Sequence, residues 1–182
     1  MLMAVNEPYA LMVQPDDILI SPREVDEHFG TMVCFHPRYA LGDHHNYMDK
    51  DDFLREMYLD TVGHDEAGMK RYERMVNIVS SRFRHGPKTE ERAIDEAMQK
   101  VISEKYLMLP LYLYDHSGIT MNTTGFSCPW DSGQVGWIYA DKRRIEAEYG
   151  KVTPETIEKA RQVLEGEVKS YDYFLTGQCY GF

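Results

Sequence analysis

Histidine and acidic side chains that could bind a divalent metal ion lie close together in one part of the sequence. His36, Asp43 and His44 fall within a nine-residue span, and His116 follows Asp115 farther along the chain. Imidazole nitrogens and carboxylate oxygens are common zinc ligands. Their spacing, however, matches no metal template such as HExxH or paired CxxC. We therefore expect no metal and no cofactor, and metal-assisted hydrolysis or nuclease chemistry through His36, Asp43, His44 and His116 is the first alternative function.

Cysteine and serine side chains could supply a nucleophile, but no catalytic arrangement is recognisable. Cys34 lies in an apolar run, which favours a buried and inert thiol, whereas Cys128 precedes Pro129 in a loop and is expected to be more exposed. The sequence has no GxSxG nucleophile elbow. The neighbours His116 and Ser117 do not indicate a triad, because triads assemble in space. We assign no catalytic residue and expect a protein that is not an enzyme.

A glycine-rich aromatic segment, GFSCPWDSGQVG (125–136), is the most distinctive part of the sequence. It lacks the GK[ST] ending of a phosphate-binding loop, and a strand is predicted after it where a dinucleotide fingerprint requires a helix. Trp130 is either a core side chain, with Asp131 capping a turn, or the tip of a recognition loop, since tryptophan contributes strongly to interface binding energy. We favour the core for Trp130, and both residues are candidates for partner binding.

Acidic residues are concentrated in the first third of the chain. The 182 residues carry a formal net charge of −10, and residues 1–60 alone hold 12 acidic and 4 basic side chains. The electrostatic field of a protein with this negative charge repels phosphate groups, which disfavours nucleic-acid binding. The charge is compatible with a basic partner. The alternative is a surface that only maintains solubility. The candidate partner-binding acids are Asp16, Asp17, Glu24, Asp26, Glu27, Asp49, Asp51 and Asp52.

Basic residues are expected along one arc of a predicted helix, opposite its apolar stripe at about 100° per residue. These residues are Lys70, Arg71, Arg74, Arg82 and Arg84. Most such arcs are solvated helix faces, and a functional one would contact phosphates without reading base sequence. The arc is the candidate for a weak DNA contact, and a DNA-binding regulatory protein is the second alternative function.

The helices and strands that carry these residues are predicted to form a single α+β domain over residues 1–182. Residues 1–28 are rich in proline and acidic side chains and are predicted to be an irregular entry segment. A helical block is predicted over 49–105, and strands followed by a C-terminal helix over 106–182. With a short strand near 30–36, we expect a small, mostly antiparallel sheet of three to five strands and helices in two blocks.

Local signals predict where these elements begin and end. Side chains that cap helix N-termini are expected at Asp49 or Asp51, Asp65, Thr89, Asp141 and Thr153. Glycines that end helices are expected at Gly63, Gly150 and Gly177. Pro110, inside the apolar run 106–114, predicts an edge strand or a bulge. These signals order the elements along the chain without defining how they pack.

The sequence carries no recognisable membrane or targeting signal. No stretch of about 18 apolar residues occurs, and the first residues lack the basic region of a signal peptide. Three cysteines are too few and too widely spaced for a disulfide framework, which favours a reducing compartment. We expect a cytoplasmic protein without membrane contact.

Long stretches of the sequence resemble small proteins from bacteriophages and mobile elements of gut bacteria. They are SPREVDEHFGTMVCFHPRYALGDHH (21–45), YLMLPLYLYDHSGITMNTTGFSCPWDSGQVGWIYADK (106–142) and EVKSYDYFLTGQCYGF (167–182). Within that group the sequence looks like anti-CRISPR proteins that inhibit the type II effector nuclease. The resemblance implies a non-enzymatic inhibitor in the host bacterial cytosol. It would bind the guide-RNA-loaded nuclease, with a weak contact to DNA, and block target engagement or cleavage.

Overall fold

A computed structural model describes residues 2–15, 20–25, 27–82 and 87–181. Its elements in chain order are β1 (Leu2–Asn6), β2 (Tyr9–Pro15), α1 (Pro22–Val25), β3 (Thr31–Cys34), α2 (Lys50–Val62), α3 (Glu66–Arg82), α4 (Pro87–Ile102), β4 (Tyr106–Asp115), β5 (Ile119–Asn122), β6 (Ser132–Asp141), α5 (Lys142–Tyr149), α6 (Pro154–Leu175) and β7 (Tyr180–Gly181). The α+β class is confirmed. In the described part of the chain, the larger sheet has four strands, within the three to five expected, and β1, β2 and β7 form a second sheet that was not expected.

The chain divides into two compact units, each made of stretches that are separated in sequence. The first unit consists of Met1–Asp43, Leu109–Tyr139 and Thr153–Phe182. The second unit consists of His44–Met108 and Ala140–Val152. The helical block predicted from the sequence therefore lies within the second unit, whereas the long helix α6 belongs to the first.

The first described residues form a β-hairpin where the sequence predicts an irregular segment. β1 pairs antiparallel with β2, with Val5 opposite Ala10, and the end of β2 pairs with β7. The prediction for residues 1–28 is wrong in this part. A turn at Glu7-Pro8 joins two runs that contain strand-forming valine and tyrosine, and these local signals outweigh the acidic, proline-rich composition.

The larger sheet has the strand order β3-β6-β4-β5. Along β4, the leucines at alternate positions are buried, as is typical of a sheet with one packed face. α6 packs against β5. Its buried side chains recur every three or four residues, which places them on one face of the helix; they are Thr156, Ala160, Leu164, Val168 and Tyr171.

Pro110 lies in β4, which is an interior strand in the order of the sheet, but at a position that the neighbouring strand β5 does not reach. β4 has β6 on one side and β5 on the other. The register of β4 with β5 runs only from Tyr112 to Asp115. Because Pro110 falls outside the part of β4 that β5 reaches, its missing N–H interrupts no pairing with β5.

Helix ends follow the local signals at most of the expected positions. The predicted N-caps are confirmed at Asp49, Asp65, Asp141 and Thr153, whose side-chain oxygens accept backbone N–H groups of the first turn. Gly63 and Gly150 end α2 and α5 with φ of 110° and 79°, a region that favours glycine. Thr89 is not a cap, because α4 already begins at Pro87, whose fixed φ suits the first helical position.

Three helices of the second unit, α2, α3 and α4, pack against one another. α2 supplies most of the buried side chains, including Phe53 and Leu54. The apolar stripe that the sequence predicts for α3 consists of Tyr72, Val76, Val79 and Phe83. Its first three members are only half-buried, and Phe83 lies outside the described residues. None of the described helices is both long and apolar enough to cross a membrane.

A buried ion cluster made of Arg23, Asp43 and Glu167, here called the Arg23 cluster, joins distant parts of the first unit. The Arg23 side chain is only 2% exposed. Its Nε donates to Asp43 at 2.7 Å, and its Nη1 donates to Glu167 at 3.0 Å. Burial lowers the pKa of Arg23, but hydrogen bonds and charge from both carboxylates outweigh burial and keep the pKa above its ordinary value.

Backbone groups complete the hydrogen bonding of the Arg23 cluster. Arg23 Nη2 donates to the Gly30 carbonyl at 2.8 Å. Asp43 accepts the Met32 N–H at 2.8 Å, and Glu167 accepts the Gly30 N–H at 3.1 Å. Hydrogen bonds to ionised groups are stronger than neutral ones. The cluster therefore fixes α1, the start of β3, Asp43 and α6 to one another.

Replacing Arg23 by methionine is expected to destabilise the protein by about 3–5 kcal/mol, because two partly buried carboxylates lose their counter-charge. Arg38→Met is the matched control, since Arg38 is 65% exposed in its ion pair with Asp115 and exposed pairs contribute about 0–1 kcal/mol. Urea unfolding followed by circular dichroism measures both variants. Equal losses would contradict the role assigned to the cluster.

Candidate functional site

The distinctive segment of the sequence forms a loop between β5 and β6, here called the Trp130 loop (residues 123–131). Asn122 fixes its start: Oδ1 accepts the Gly125 N–H at 2.7 Å, and Nδ2 donates to the Gly125 carbonyl at 3.2 Å. Gly125 has φ of 87°, which favours glycine. At the other end, the Ser132 hydroxyl donates to the Cys128 carbonyl. Side-chain hydrogen bonds to the backbone thus hold both ends of the loop.

Trp130 lies on the surface of this loop and is 92% exposed. The prediction that Trp130 fills the core is therefore wrong. The buried tryptophan is Trp137 in β6, which is 4% exposed. A strand position determines which face a side chain occupies, but a loop position does not, and so the sequence pattern could not give the direction of Trp130.

Asp131, the neighbour of Trp130, links the loop to the end of β4. Its backbone carbonyl accepts the Asp115 N–H at 2.8 Å. Its Oδ2 lies 3.5 Å from His116 Nδ1 and accepts the Cys128 thiol at 3.5 Å. The carboxylate thus stands between an imidazole and a thiol. Nucleophilic catalysis by a Cys–His pair places the imidazole against the thiol, which is a different arrangement.

A cavity of about 590 Å³ lies beside the Trp130 loop. Tyr112, Phe126 and Pro129 line it together with glycine, serine and threonine. Its volume is typical of ligand pockets, which span about 300–1,000 Å³. Since none of these lining residues is charged, the cavity suits an uncharged or apolar group of a partner.

Some of the acidic residues predicted to bind a partner have local structural roles. Asp49 accepts the Asp52 N–H at 2.9 Å as the cap of α2. Asp52 accepts the Met48 N–H at 3.1 Å and pairs with Arg55 at 2.9 Å. Substitution of either would therefore change the stability of α2 as well as any binding. Three further candidates lie outside the described residues, namely Asp16, Asp17 and Asp26.

Glu24, Glu27 and Asp51 are exposed like Asp49, but unlike Asp49 they cap none of the described helices. Glu24 and Glu27 belong to the first unit and Asp51 to the second. Asp51 lies 3.8 Å from the Lys50 ammonium group. These three acids can be changed without removing a helix cap, and their role in partner binding stays a prediction.

The predicted basic arc is exposed along α3. Its described members are Lys70, Arg71, Arg74 and Arg82, and Arg84 lies outside the described residues. Lys70 pairs with Glu66 one turn away at 2.6 Å, as is common on solvated helix faces. A DNA contact through this arc stays a prediction.

Two residues of the metal-hydrolase alternative have other partners. Asp43 belongs to the Arg23 cluster, and His36 Nδ1 accepts the N–H groups of Arg38 and Tyr39, each at 3.3 Å. In the part of the chain that the structure describes, no group of three or more His, Cys, Asp or Glu side chains could hold a metal. The geometry thus gives this alternative no support.

Cys34 is buried, as expected for an inert thiol. Burial, together with the negative charge of Asp43, raises its pKa to about 12. Since the thiolate is the nucleophile, Cys34 is unreactive near neutral pH. A different role nearby, that of Asp43 in the Arg23 cluster, could not be predicted from the sequence, because Arg23 and Glu167 are 144 positions apart and no local pattern connects them.

The Trp130 loop therefore has the features of a candidate protein-binding surface. It combines an exposed tryptophan, an adjacent carboxylate and an uncharged cavity on a backbone held at both ends. Comparison with protein-family models, with curated proteins and with solved structures finds no match to this chain.

Trp130→Ala is expected to change the free energy of unfolding by less than about 0.5 kcal/mol, because the side chain is exposed. Trp137→Ala, the matched change at a buried position, is expected to cost about 3–5 kcal/mol. Urea unfolding measures both variants. A large loss of stability in Trp130→Ala would show that the tryptophan packs against the protein.

Proposed function

We propose that the protein is a non-enzymatic inhibitor that binds the guide-RNA-loaded type II CRISPR effector nuclease and blocks target DNA engagement or cleavage. The observation that carries the binding role is the 92% exposure of Trp130 in a loop that is held at both ends. The resemblance of residues 21–45, 106–142 and 167–182 to phage and mobile-element proteins supports the choice of partner. The inhibitor would act in the cytosol of the host bacterium.

An exposed tryptophan beside a carboxylate is suited to an arginine of the partner. The guanidinium group can stack on the indole ring of Trp130 through a cation–π contact. The same group can form charge-assisted hydrogen bonds with Asp131. The guide-loaded nuclease reads its short DNA motif through arginines, so occupation of such arginines by this loop would prevent DNA from engaging them.

The fixed backbone of the Trp130 loop lowers the entropy cost of binding. Ordering a flexible loop at an interface reduces affinity, and a loop that is already ordered avoids this loss. Here Asn122, Asp115 and Ser132 supply the hydrogen bonds that hold the loop. The loop can therefore present Trp130 and Asp131 in one arrangement before the partner arrives.

The acidic balance of residues 1–60 would steer the protein toward a basic nuclease channel. Complementary charge increases the association rate more than the final affinity. Glu24, Glu27 and Asp51 are exposed and can act in this way. A weak DNA contact through the exposed arc of α3 would add to the same complex, and a gel shift at moderate salt tests it.

Titration of the protein into a DNA-cleavage assay at fixed nuclease concentration is expected to give full inhibition near equimolar inhibitor. Trp130→Ala should weaken binding about thirtyfold or more, as expected for a hot-spot residue worth about 2 kcal/mol. Tyr173→Ala is the control, since this aromatic residue is 40% exposed on α6, outside the Trp130 loop. Full inhibition at one-hundredth of the nuclease concentration (about 1%) would instead indicate catalysis.

A second prediction concerns charge steering. The double variant Glu24→Lys with Glu27→Lys should associate more slowly with the nuclease, with a smaller effect on dissociation. Raising salt from about 0.05 to 0.2 M should reduce the difference from the natural protein, because exposed charges are screened over about 10 Å. Stopped-flow mixing measures the rates, with exposed Glu148→Lys on α5 as control. Equal rates for all proteins would contradict the steering role.

A further inference from the structure

A groove lies between helices α2, α3 and α4 of the second unit, with a volume of about 490 Å³. Its floor is apolar and is formed by Tyr72 and Val76 of α3 and by Ile94 and Met98 of α4. Residues four apart lie on the same face of a helix, so each helix contributes a matched pair to the floor. Tyr72, Val76 and Ile94 are only half-buried, which leaves apolar surface available to a partner.

Carboxylates surround this apolar floor. They are Asp51, Glu90, Glu91 and Asp95. Lys50 contacts three of them: its Nζ lies 3.5 Å from Asp95 and 3.8 Å from Asp51, and it also pairs with Glu91. Lys50 thus contacts three of the four carboxylates, and the described residues that line the groove include no basic side chain.

The charge at the rim is incompletely compensated at Asp95. Burial raises the pKa of Asp95, and the negative charges of Asp51 and Glu91 add to this effect. Lys50 acts in the opposite direction, yet the pKa remains above its ordinary value. A further cation at the rim would stabilise the ionised form of Asp95.

We propose that this groove binds an amphipathic helix of a partner protein, with apolar residues at i, i+3, i+4 and i+7 and with lysine or arginine beside them. Helix-in-groove recognition uses this pattern of anchors. Charge complementarity selects the occupant, because the carboxylate rim repels an acidic helix and attracts a basic one. A second copy using the same groove would place like charges opposite one another.

This binding site is independent of the function proposed above. The groove shares no residue with the Trp130 loop, and its occupant is defined by chemistry alone. Asp51 is the member of the acidic candidate set that lines it. Failure of nuclease inhibition would therefore leave the groove proposal standing, and failure of helix binding would leave the inhibitor proposal standing.

The test uses the full-length protein and a fluorescein-labelled 15-residue helical peptide (about four turns) made of leucine and lysine, with leucine at i, i+3, i+4 and i+7. Fluorescence anisotropy at about 0.15 M salt measures binding. A scrambled peptide of the same composition and a leucine–glutamate peptide are the controls. We expect saturable binding of the first peptide, at least about tenfold weaker binding of the scrambled peptide, and no binding of the acidic one.

Variants of the protein locate the binding site. Glu90→Lys at the rim and Val76→Asp on the floor should each weaken binding about tenfold or more, whereas Glu73→Lys, on the exposed side of α3, should leave it unchanged. Glu90→Lys keeps the apolar floor intact, so it tests the groove even if Val76→Asp unfolds. The proposal would be overturned if all variants bound the peptide equally or if the scrambled peptide bound as well as the designed one. It would also be overturned if sedimentation showed a dimer of the protein that Glu90→Lys disrupts or weakens.

Discussion

Arg23 keeps α1, β3 and α6 in place because its guanidinium group and two carboxylates satisfy one another largely away from water. A second constraint acts at Gly30, which belongs to the same hydrogen-bond network. A Cβ atom there would lie 2.3 Å from the Leu164 side chain of α6 and 2.9 Å from that of Ile138, so a larger residue would force these closely packed side chains to shift. The ion cluster and the glycine together place α6 close to the start of β3.

Helix α6 also connects the Arg23 cluster to the Trp130 loop. Five positions beyond Glu167, Asp172 accepts the Thr120 hydroxyl and the Met121 N–H, both at 2.7 Å. Asp172 thereby holds the edge strand β5 against α6, which also protects that edge from pairing with other chains. Asn122, which follows Met121 in the chain, fixes the start of the Trp130 loop. A surface that binds through one exposed side chain depends on a scaffold of this kind, because the scaffold orders the loop before contact.

The sequence predicts what depends on neighbouring residues and fails where distant residues decide the outcome. At the caps Asp49 and Thr153, a side chain bonds a backbone group only three positions away, so the sequence predicts them. The apolar stripe on α3 is predicted from the spacing of its residues along a helix. The Arg23 cluster could not be predicted, because its members meet only after folding. The direction of Trp130 depends on loop hydrogen bonds from Asn122 and Ser132. The partial burial of the apolar stripe on α3 depends on how closely α4 packs against that helix. The sequence therefore indicates the Trp130 loop as a candidate site, but it does not predict the geometry of that loop.

The division of the chain into stretches has a consequence for its synthesis on the ribosome. Helices α2, α3 and α4 come from one continuous stretch within His44–Met108, so their contacts can form while later residues are still being added. The first unit has no such advantage, since Arg23 emerges early and its partner Glu167 is 144 positions later. Until α6 is released, that guanidinium group and Asp43 must remain hydrated. Contacts of long sequence separation form slowly, and the order of translation delays the completion of this unit until α6 has been made.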